Sequence, residues 1–355
     1  MGKERKNIKI ALVGYKLSEG GLEHVFGTVS ELLYHANYEV HVIVLENKIE
    51  FPYHGTLLNL GCYSKFKKYF QLKQYLVRNN FDYIIDFRHR INPWMEILFI
   101  YYIFAGFKFI YTVHSSRLEI YLTSRSWVAR KILNKAFKIV AVSRALNEKI
   151  KLKYGFIKAV TIPNSVSEKA TEFDYLNSLL PFKYCIAVGR LVNLKQFDKM
   201  IAAYHESILP TSEIHLVILG QGEEKENLLQ QIENLNLTKY VHLLGFKNDA
   251  YFYIKDAQFL VLSSKYEGFS MVILEALNAG IPVVSFDCET GPSELVTHEY
   301  NGLLVENQNF IALKESLNRM VENPALYNYC KKNAKESVSK FSNEKVAKKW
   351  IDLLN

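Results

Sequence analysis

The feature that most restricts this chain is an alternation that runs twice. Short apolar, β-branched runs (Lys9–Gly14, Val40–Leu45, Tyr83–Phe87, Phe109–His114, Ile139–Ser143 and Ala159–Ile162) are separated by stretches of helical periodicity such as Leu22–Ala36 and Phe66–Arg78. Near-continuous apolar strands, each followed by an amphipathic helix, bury both faces as a parallel sheet flanked by helices. The rhythm breaks at Ile162–Lys183, where Pro, Ser and acidic residues predict a linker. It restarts with Tyr184–Gly189, Ile214–Gly220, Tyr240–Gly245, Gln258–Ser263 and Ile281–Phe286. The expectation is an α/β chain with two Rossmann-like, doubly wound parallel-sheet domains facing one another across a cleft. The expected boundaries are 1–165 and 166–338, with 339–355 as an amphipathic helix, capped by Ser342 or Asn343, crossing back to the first domain.

Composition narrows the class. A chain of 355 residues with 49% hydrophobic and 23% charged residues is globular and long enough for two cores. Cys62, Cys185, Cys288 and Cys330 lack metal-ligand spacing, so neither a zinc site nor a disulfide framework is expected, and a reducing cytoplasm is the expected compartment. The apolar run Ile8–Val13 is too short for a signal-peptide core, and Lys6 stands where a myristoylation signal needs Ser or Thr. Ile97–Phe107 is too short to span a bilayer and reads as a buried helix, so a soluble chain is expected. Charge is uneven: residues 1–180 hold 26 basic and 15 acidic side chains, the remainder 18 and 21. The first half is thus expected to face something anionic.

In open parallel sheets ligands bind beyond the carboxyl ends of the strands, which singles out four loops. In Gly14–Phe26, Gly20-Gly21 opens a helix, which on its own reads first as a tight turn and second as a cradle for phosphate or sugar hydroxyls. In Tyr111–Ile120, His114 ends an apolar strand and is expected to point into the cleft, away from the core. In Ala187–Ile201, Arg190 and Lys195 suit a diphosphate, although two solvated cations would look the same. The fourth is "KYEGFSMVILEALNAG", Lys265–Gly280. Gly268 keeps Glu267 in the loop, Ser270 is expected to cap a helix from Met271, and Gly280 with Pro282 ends it. The amides of Phe269 to Val272 would then be available to a ligand, and Glu275 is either a ligand-binding carboxylate or a solvent-facing helix position.

Taken in order, these motifs resemble the retaining, nucleotide-sugar-dependent glycosyltransferases of family 4, with the GT-B fold. The resemblance rests on Glu267-x7-Glu275, on "VGRLVNLK", and on "IPNSV", "VAVSRAL", "VILGQGEEK" and "LLGF" in the expected sequence, spanning Ile8 to about Leu304. It implies that Glu275 binds ribose, Arg190 and Lys195 the diphosphate, and Glu267 with Gly268, Phe269 and Ser270 the donor sugar. It further implies that Met271 and Val272 contribute helix-end amides and that Gly245 and Phe246 border the base. Gly20 and Gly21 would approach the phosphates or the reacting centre, and His114 the donor sugar. The chain departs from the family pattern at Gln196 and Ser165, where glycine is frequent.

The resemblance implies hexose or N-acetylhexosamine transfer from a UDP-type donor to a glycan or lipid-linked acceptor of surface polysaccharide, with retention. No metal or other cofactor is expected, since the cations and helix dipoles would neutralise the leaving diphosphate. Tyr63–Arg78 and Arg125–Lys138 interleave cations and aromatics, as interfacial helices do on an anionic membrane; with the aromatics turned inward they would be ordinary surface helices. The expected location is cytoplasmic, with peripheral attachment to the membrane if those helices are interfacial. The rivals are a dehydrogenase, disfavoured because Gly220-Gln-Gly222 lacks a third glycine, and a catalytically inactive glycan-binding scaffold. No nucleic-acid module is present.

Overall fold

The computed structural model describes residues 8–155, 158–166 and 179–355. Of the expected linker, residues 167–178 lie outside the described residues. The chain divides into two compact units, one of Met1–Ser165 with Asn343–Asn355, the other of Val166–Ser342.

The first unit runs β1 (Lys9–Gly14), α1 (Gly21–His35), β2 (Glu39–Val44), β3 (Thr56–Asn59), α2 (Lys65–Asn79) and β4 (Tyr83–Asp86). It continues through α3 (Pro93–Leu98), β5 (Lys108–Val113), α4 (Leu118–Leu122), α5 (Ser126–Lys135), β6 (Lys138–Ala141), α6 (Arg144–Tyr154) and β7 (Ala159–Thr161). Its sheet is parallel throughout, ordered β3-β2-β1-β4-β5-β6-β7. β4 is buried along its whole length, as a central strand covered on both faces must be. β3, half-exposed at the sheet edge, carries too few apolar residues to stand out in the sequence.

The second unit runs β8 (Lys183–Val188), α7 (Phe197–His205), β9 (Ile214–Leu219), α8 (Lys225–Asn234), β10 (Val241–Gly245), α9 (Ala250–Asp256) and β11 (Leu260–Leu262). It continues through α10 (Met271–Asn278), β12 (Val283–Asp287), α11 (Pro292–Leu295), β13 (Gly302–Glu306), α12 (Phe310–Glu322) and α13 (Pro324–Ser337). The sheet order is β10-β9-β8-β11-β12-β13, again parallel. β13 was not anticipated: Gly302 opens it, and a Cβ there would lie 2.1 Å from the Val283 carbonyl oxygen.

The terminal helix α14 (Asn343–Leu354) belongs to the first unit, packing on α1. Val346, Trp350 and Leu354, spaced by four residues, form its buried stripe. The Asn343 side-chain oxygen has no partner among the described residues, so it does not cap this helix. Ile97–Phe107 is not the buried helix expected. α3 passes into a π-helical turn at Phe99–Ile103, which buries Phe99, Ile100 and Ile103 but leaves Leu98, Tyr101 and Tyr102 exposed. No described helix is long and apolar enough to cross a membrane.

Gly220-Gln-Gly222 serves the scaffold. Gly220 has φ +151°, and a Cβ on it would sit 1.8 Å from the Gly189 carbonyl oxygen. This close approach lets Gly189 N donate to Leu219 O and Leu191 N to Gln221 O, both at 2.9 Å. Gly220→Ala is therefore expected to lower stability by more than about 1 kcal/mol, whereas Gly21→Ala, with open space around the new Cβ, stays within about 0.5 kcal/mol. Equal melting temperatures for the two variants in thermal unfolding would contradict this reading.

Candidate functional site

The sheet of the second unit changes winding direction between β8 and β11, so the loops leaving these two adjacent strands diverge and make room for a ligand. Arg190 and Lys195 follow β8, and Glu267 to Val272 follow β11, so the adjacent strands set the two loops side by side. Lys195 Nζ donates to Glu267 Oε1 at 2.6 Å, with side chains 19% and 12% exposed. The backbone around this pair is pinned from several sides. Ser263 Oγ donates to the Lys195 carbonyl at 2.8 Å, Lys265 N to the Leu194 carbonyl at 3.0 Å, and Thr290 Oγ1 to the Glu267 carbonyl. The Arg190 side chain is exposed, and no described residue pairs with it.

Ser270 holds the N-cap position of α10, but its side chain makes no cap bond. This corrects the expected cap: its Oγ is buried and unpartnered, as is that of Ser264 on the same loop. The first amides of a helix have no intrahelical acceptor, so α10 presents the N–H groups of Met271 and Val272 uncapped by that hydroxyl. Buried hydroxyls without partners are uncommon in folded proteins, and two on one loop at a switch point mark a place suited to a polar ligand. Phe269 contributes only backbone there, because its ring is core, 5% exposed and edge-on to Phe341 at 5.3 Å. A Cβ on Gly291 would meet the Gly268 carbonyl oxygen at 3.1 Å, so the β12–α11 loop lies directly against this backbone. Glu275 is half-buried between the buried Leu274 and Ala276, and it is engaged in interactions within the fold. It is not a freely solvated helix position.

Gly245 closes β10 after a bulge at φ +73°, and Phe246 beyond it is 45% exposed. Gln196, the departure from the family glycine, adopts φ +54° and ψ +40°, the left-handed conformation that glycine accommodates most easily. Its buried side chain accepts a 2.8 Å hydrogen bond from Gln308 Nε2.

The first unit holds the other candidates. Gly20 is the extended N-cap of α1 and Gly21 its exposed first residue. His114 does not point away from the core as expected. Both ring nitrogens are buried and unpartnered, and the ring lies 5.7 Å from Phe87 and 6.0 Å from Tyr121. It lines a small cavity with Val25 and Val29 of α1 and Val346 and Trp350 of α14, so these two helices cover the face on which it sits. Burial above all, reinforced by the charges of Arg90 and His89, pushes its pKa down to about 3, leaving the imidazole neutral.

Sequence reasoning also missed a buried charge cluster at the end of β4. The Arg88 guanidinium donates from Nε and Nη2 to the two Asp86 carboxylate oxygens, at 3.0 and 2.8 Å, and from Nη1 to Glu96 Oε1 at 3.2 Å. Arg90 donates to the backbone carbonyls of Tyr121, Asp86, Arg88 and Thr112. The available signal was a run of charges, Asp86-Phe-Arg-His-Arg90, beginning on the last residue of an otherwise apolar strand. Among the described residues no group of three His, Cys, Asp or Glu side chains is arranged to hold a metal ion.

Two family models match adjoining stretches of the chain: glycosyltransferase family 4 over residues 19–169, and glycosyl transferases group 1 over 169–337. The chain belongs to the family 4, group 1 glycosyltransferases. One relative of this glycosyltransferase-family chain is the N-acetylgalactosamine-N,N'-diacetylbacillosaminyl-diphospho-undecaprenol 4-alpha-N-acetylgalactosaminyltransferase of Campylobacter jejuni. The two are 35% identical over 196 residues, 55% of this chain and 52% of the relative. This chain spans about half the length of the curated relatives it matches. Among solved structures, TarM of S. aureus superposes with a TM-score of 0.81 at 15% identity, covering 99% of both chains. HepE of Anabaena, solved in complex with UDP, gives 0.78 at 19% identity, covering 98% of this chain and 99% of that one. These likenesses establish the two-domain GT-B fold.

The buried imidazole has a measurable consequence. Its pKa in the folded chain lies below the ordinary 6.5, so in that window the unfolded chain binds the extra proton, and stability falls as pH drops from about 6.5 towards about 3. Unfolding of a His114→Phe variant, followed by denaturant titration, should lose up to about 1.4 kcal/mol per pH unit of that acid dependence relative to the parent. Parallel pH profiles for the two chains would contradict the placement of the ring.

Proposed function

We propose that the chain transfers a hexose or N-acetylhexosamine from a nucleoside-diphosphate sugar, UDP-linked, to a glycan or lipid-linked acceptor of surface polysaccharide, with retention and without a metal. The observation that carries this reading is the switch point of the second unit. There the loop bearing the exposed Arg190 and the Lys195–Glu267 pair lies beside the loop that starts α10 with its buried Ser270 hydroxyl, which no described residue satisfies. Breaking a sugar–phosphate bond develops negative charge on the diphosphate and positive charge on the anomeric carbon. Arg190, Lys195 and the α10 amides are the groups that stabilise the first, and as preorganised donors they do so with little reorganisation during the reaction. Glu267 and the backbone of Gly268–Ser270 hold the sugar, Glu275 the ribose, and the turn at Gly245–Phe246 the base. His114, neutral at physiological pH, is not available as a general acid.

UDP in the HepE complex supports the nucleotide, and the undecaprenol-linked acceptor and α-product in the Campylobacter relative's name support the acceptor class and the anomer. The proposed step is front-face. The acceptor hydroxyl attacks as the sugar–phosphate bond breaks, and the departing phosphate oxygen takes its proton.

A thermal-shift series tests the donor site. At a ligand concentration about a hundred times Kd, UDP should stabilise the parent by about 2.7 kcal/mol. Glu275→Ala should lose most of that shift, read relative to the variant's own melting temperature without ligand. An unchanged shift in the variant would remove Glu275 from the site. Separately, an α-linked donor should yield an α-linked product by NMR, and a β-linked product would overturn front-face transfer.

A further inference from the structure

Around the end of β4 the first unit buries a cluster of charges while the neighbouring helices expose large apolar side chains. Asp86, Arg88, Arg90 and Glu96 are each at most 1% exposed, whereas Trp94 is 72% exposed, Phe66 88% and Ile91 64%. The exposed aromatics are joined. Trp94 of α3 meets Trp127 of α5 edge-on at 6.2 Å, and Leu98 continues the ridge one turn along. Tyr101 of the π-helical turn lies beneath the ammonium groups of Lys131 and Lys135, each 5.5 Å from its ring, and Tyr102 beside that of Lys73 at 5.9 Å. Lys73 belongs to α2, where Phe66, Phe70 and Val77 are exposed at helical spacing around it. The ridge is braced from within. Asn92 Oδ1 accepts from Trp94 N at 3.0 Å, and Glu96, the acidic residue of α3, is turned inward onto Arg88.

We propose that this ridge is a docking surface for an anionic lipid bilayer. Tryptophan and tyrosine with an apolar body and a polar edge favour the bilayer interface, and lysines flanking them add attraction to anionic headgroups. The charge pattern selects this occupant. No Asp or Glu occurs in Tyr63–Asn80 or in Ile120–Asn147, and in Phe87–Leu118 the acidic residue is the buried Glu96. A surface so uniformly basic repels a second copy of itself, and a neutral glycan would give the flanking cations nothing to meet. The inference is independent of the transfer reading, since a vesicle requires no donor.

The chain has three tryptophans, two in the ridge and Trp350 buried, so intrinsic fluorescence reports on the surface directly. The test is co-sedimentation with phosphatidylcholine vesicles, with and without about 30% phosphatidylglycerol, at low and high salt, together with quenching by bromine-labelled lipid. The expected result is binding only to the anionic vesicles, weakened by salt, with strong quenching. Trp94→Ala with Trp127→Ala, and separately Lys131→Glu with Lys135→Glu, should each weaken binding about ten-fold or more at an unchanged melting temperature. Absence of binding to anionic vesicles at low salt would overturn the proposal. So would binding without quenching, or capture by soluble heparin as tight as by vesicles, either of which would mark a simple polyanion site.

Discussion

The candidate site depends on one contact, the 2.6 Å ion pair between Lys195 and Glu267. The two residues stand on loops from neighbouring strands that diverge at the switch point, so the pair closes the gap that sheet topology opens. It is mostly shielded, and removing one partner leaves the other as a poorly solvated charge. Ser263 and Thr290 hold the two backbones from behind, so the pair rests on a fixed frame. In the proposed reading a diphosphate would offer Lys195 a second anion and free the Glu267 carboxylate for hydroxyl donors.

How much of this was readable in the sequence follows from where each signal resides. Central parallel strands are covered on both faces and therefore write themselves as apolar runs, which is why β1, β4, β8 and β9 were legible. β3 at an edge and β13 behind Gly302 have no such run, and their existence depends on strands far away in sequence. Glu267, Lys195 and Arg190 were legible as polar residues in strand-end loops, but their pairing was not, because nothing in the separate loops specifies which strands are adjacent. His114 shows the limit most clearly. Its place at a strand end was visible, but the helices that cover it come from opposite ends of the chain, α1 and α14.

The first unit shows why hydrophobic pattern alone misassigns Ile97–Phe107. A run of that length reads as buried, yet the π-helical turn shifts the angular phase of Tyr101 and Tyr102 and turns them outward. The residues filling the space inside are charged and mutually neutralising: Arg88 satisfies Asp86 and Glu96, while Arg90 spends its donors on backbone carbonyls that β-pairing leaves over at the ends of β4 and β5. Such a cluster carries little net stability but has few alternative arrangements, so it fixes the loop geometry around it.

The central claim is that Lys195 serves the phosphates while Glu267 serves the sugar, the two being paired only until donor binds. Calorimetric titration of UDP, which lacks the sugar, into Lys195→Ala and Glu267→Gln separates these roles most directly. Loss of one charge-assisted contact in Lys195→Ala should weaken UDP binding by roughly ten- to a hundred-fold, while Glu267→Gln binds UDP as tightly as the parent or better. UDP affinity unchanged in Lys195→Ala, or reduced equally in both variants, would contradict the account.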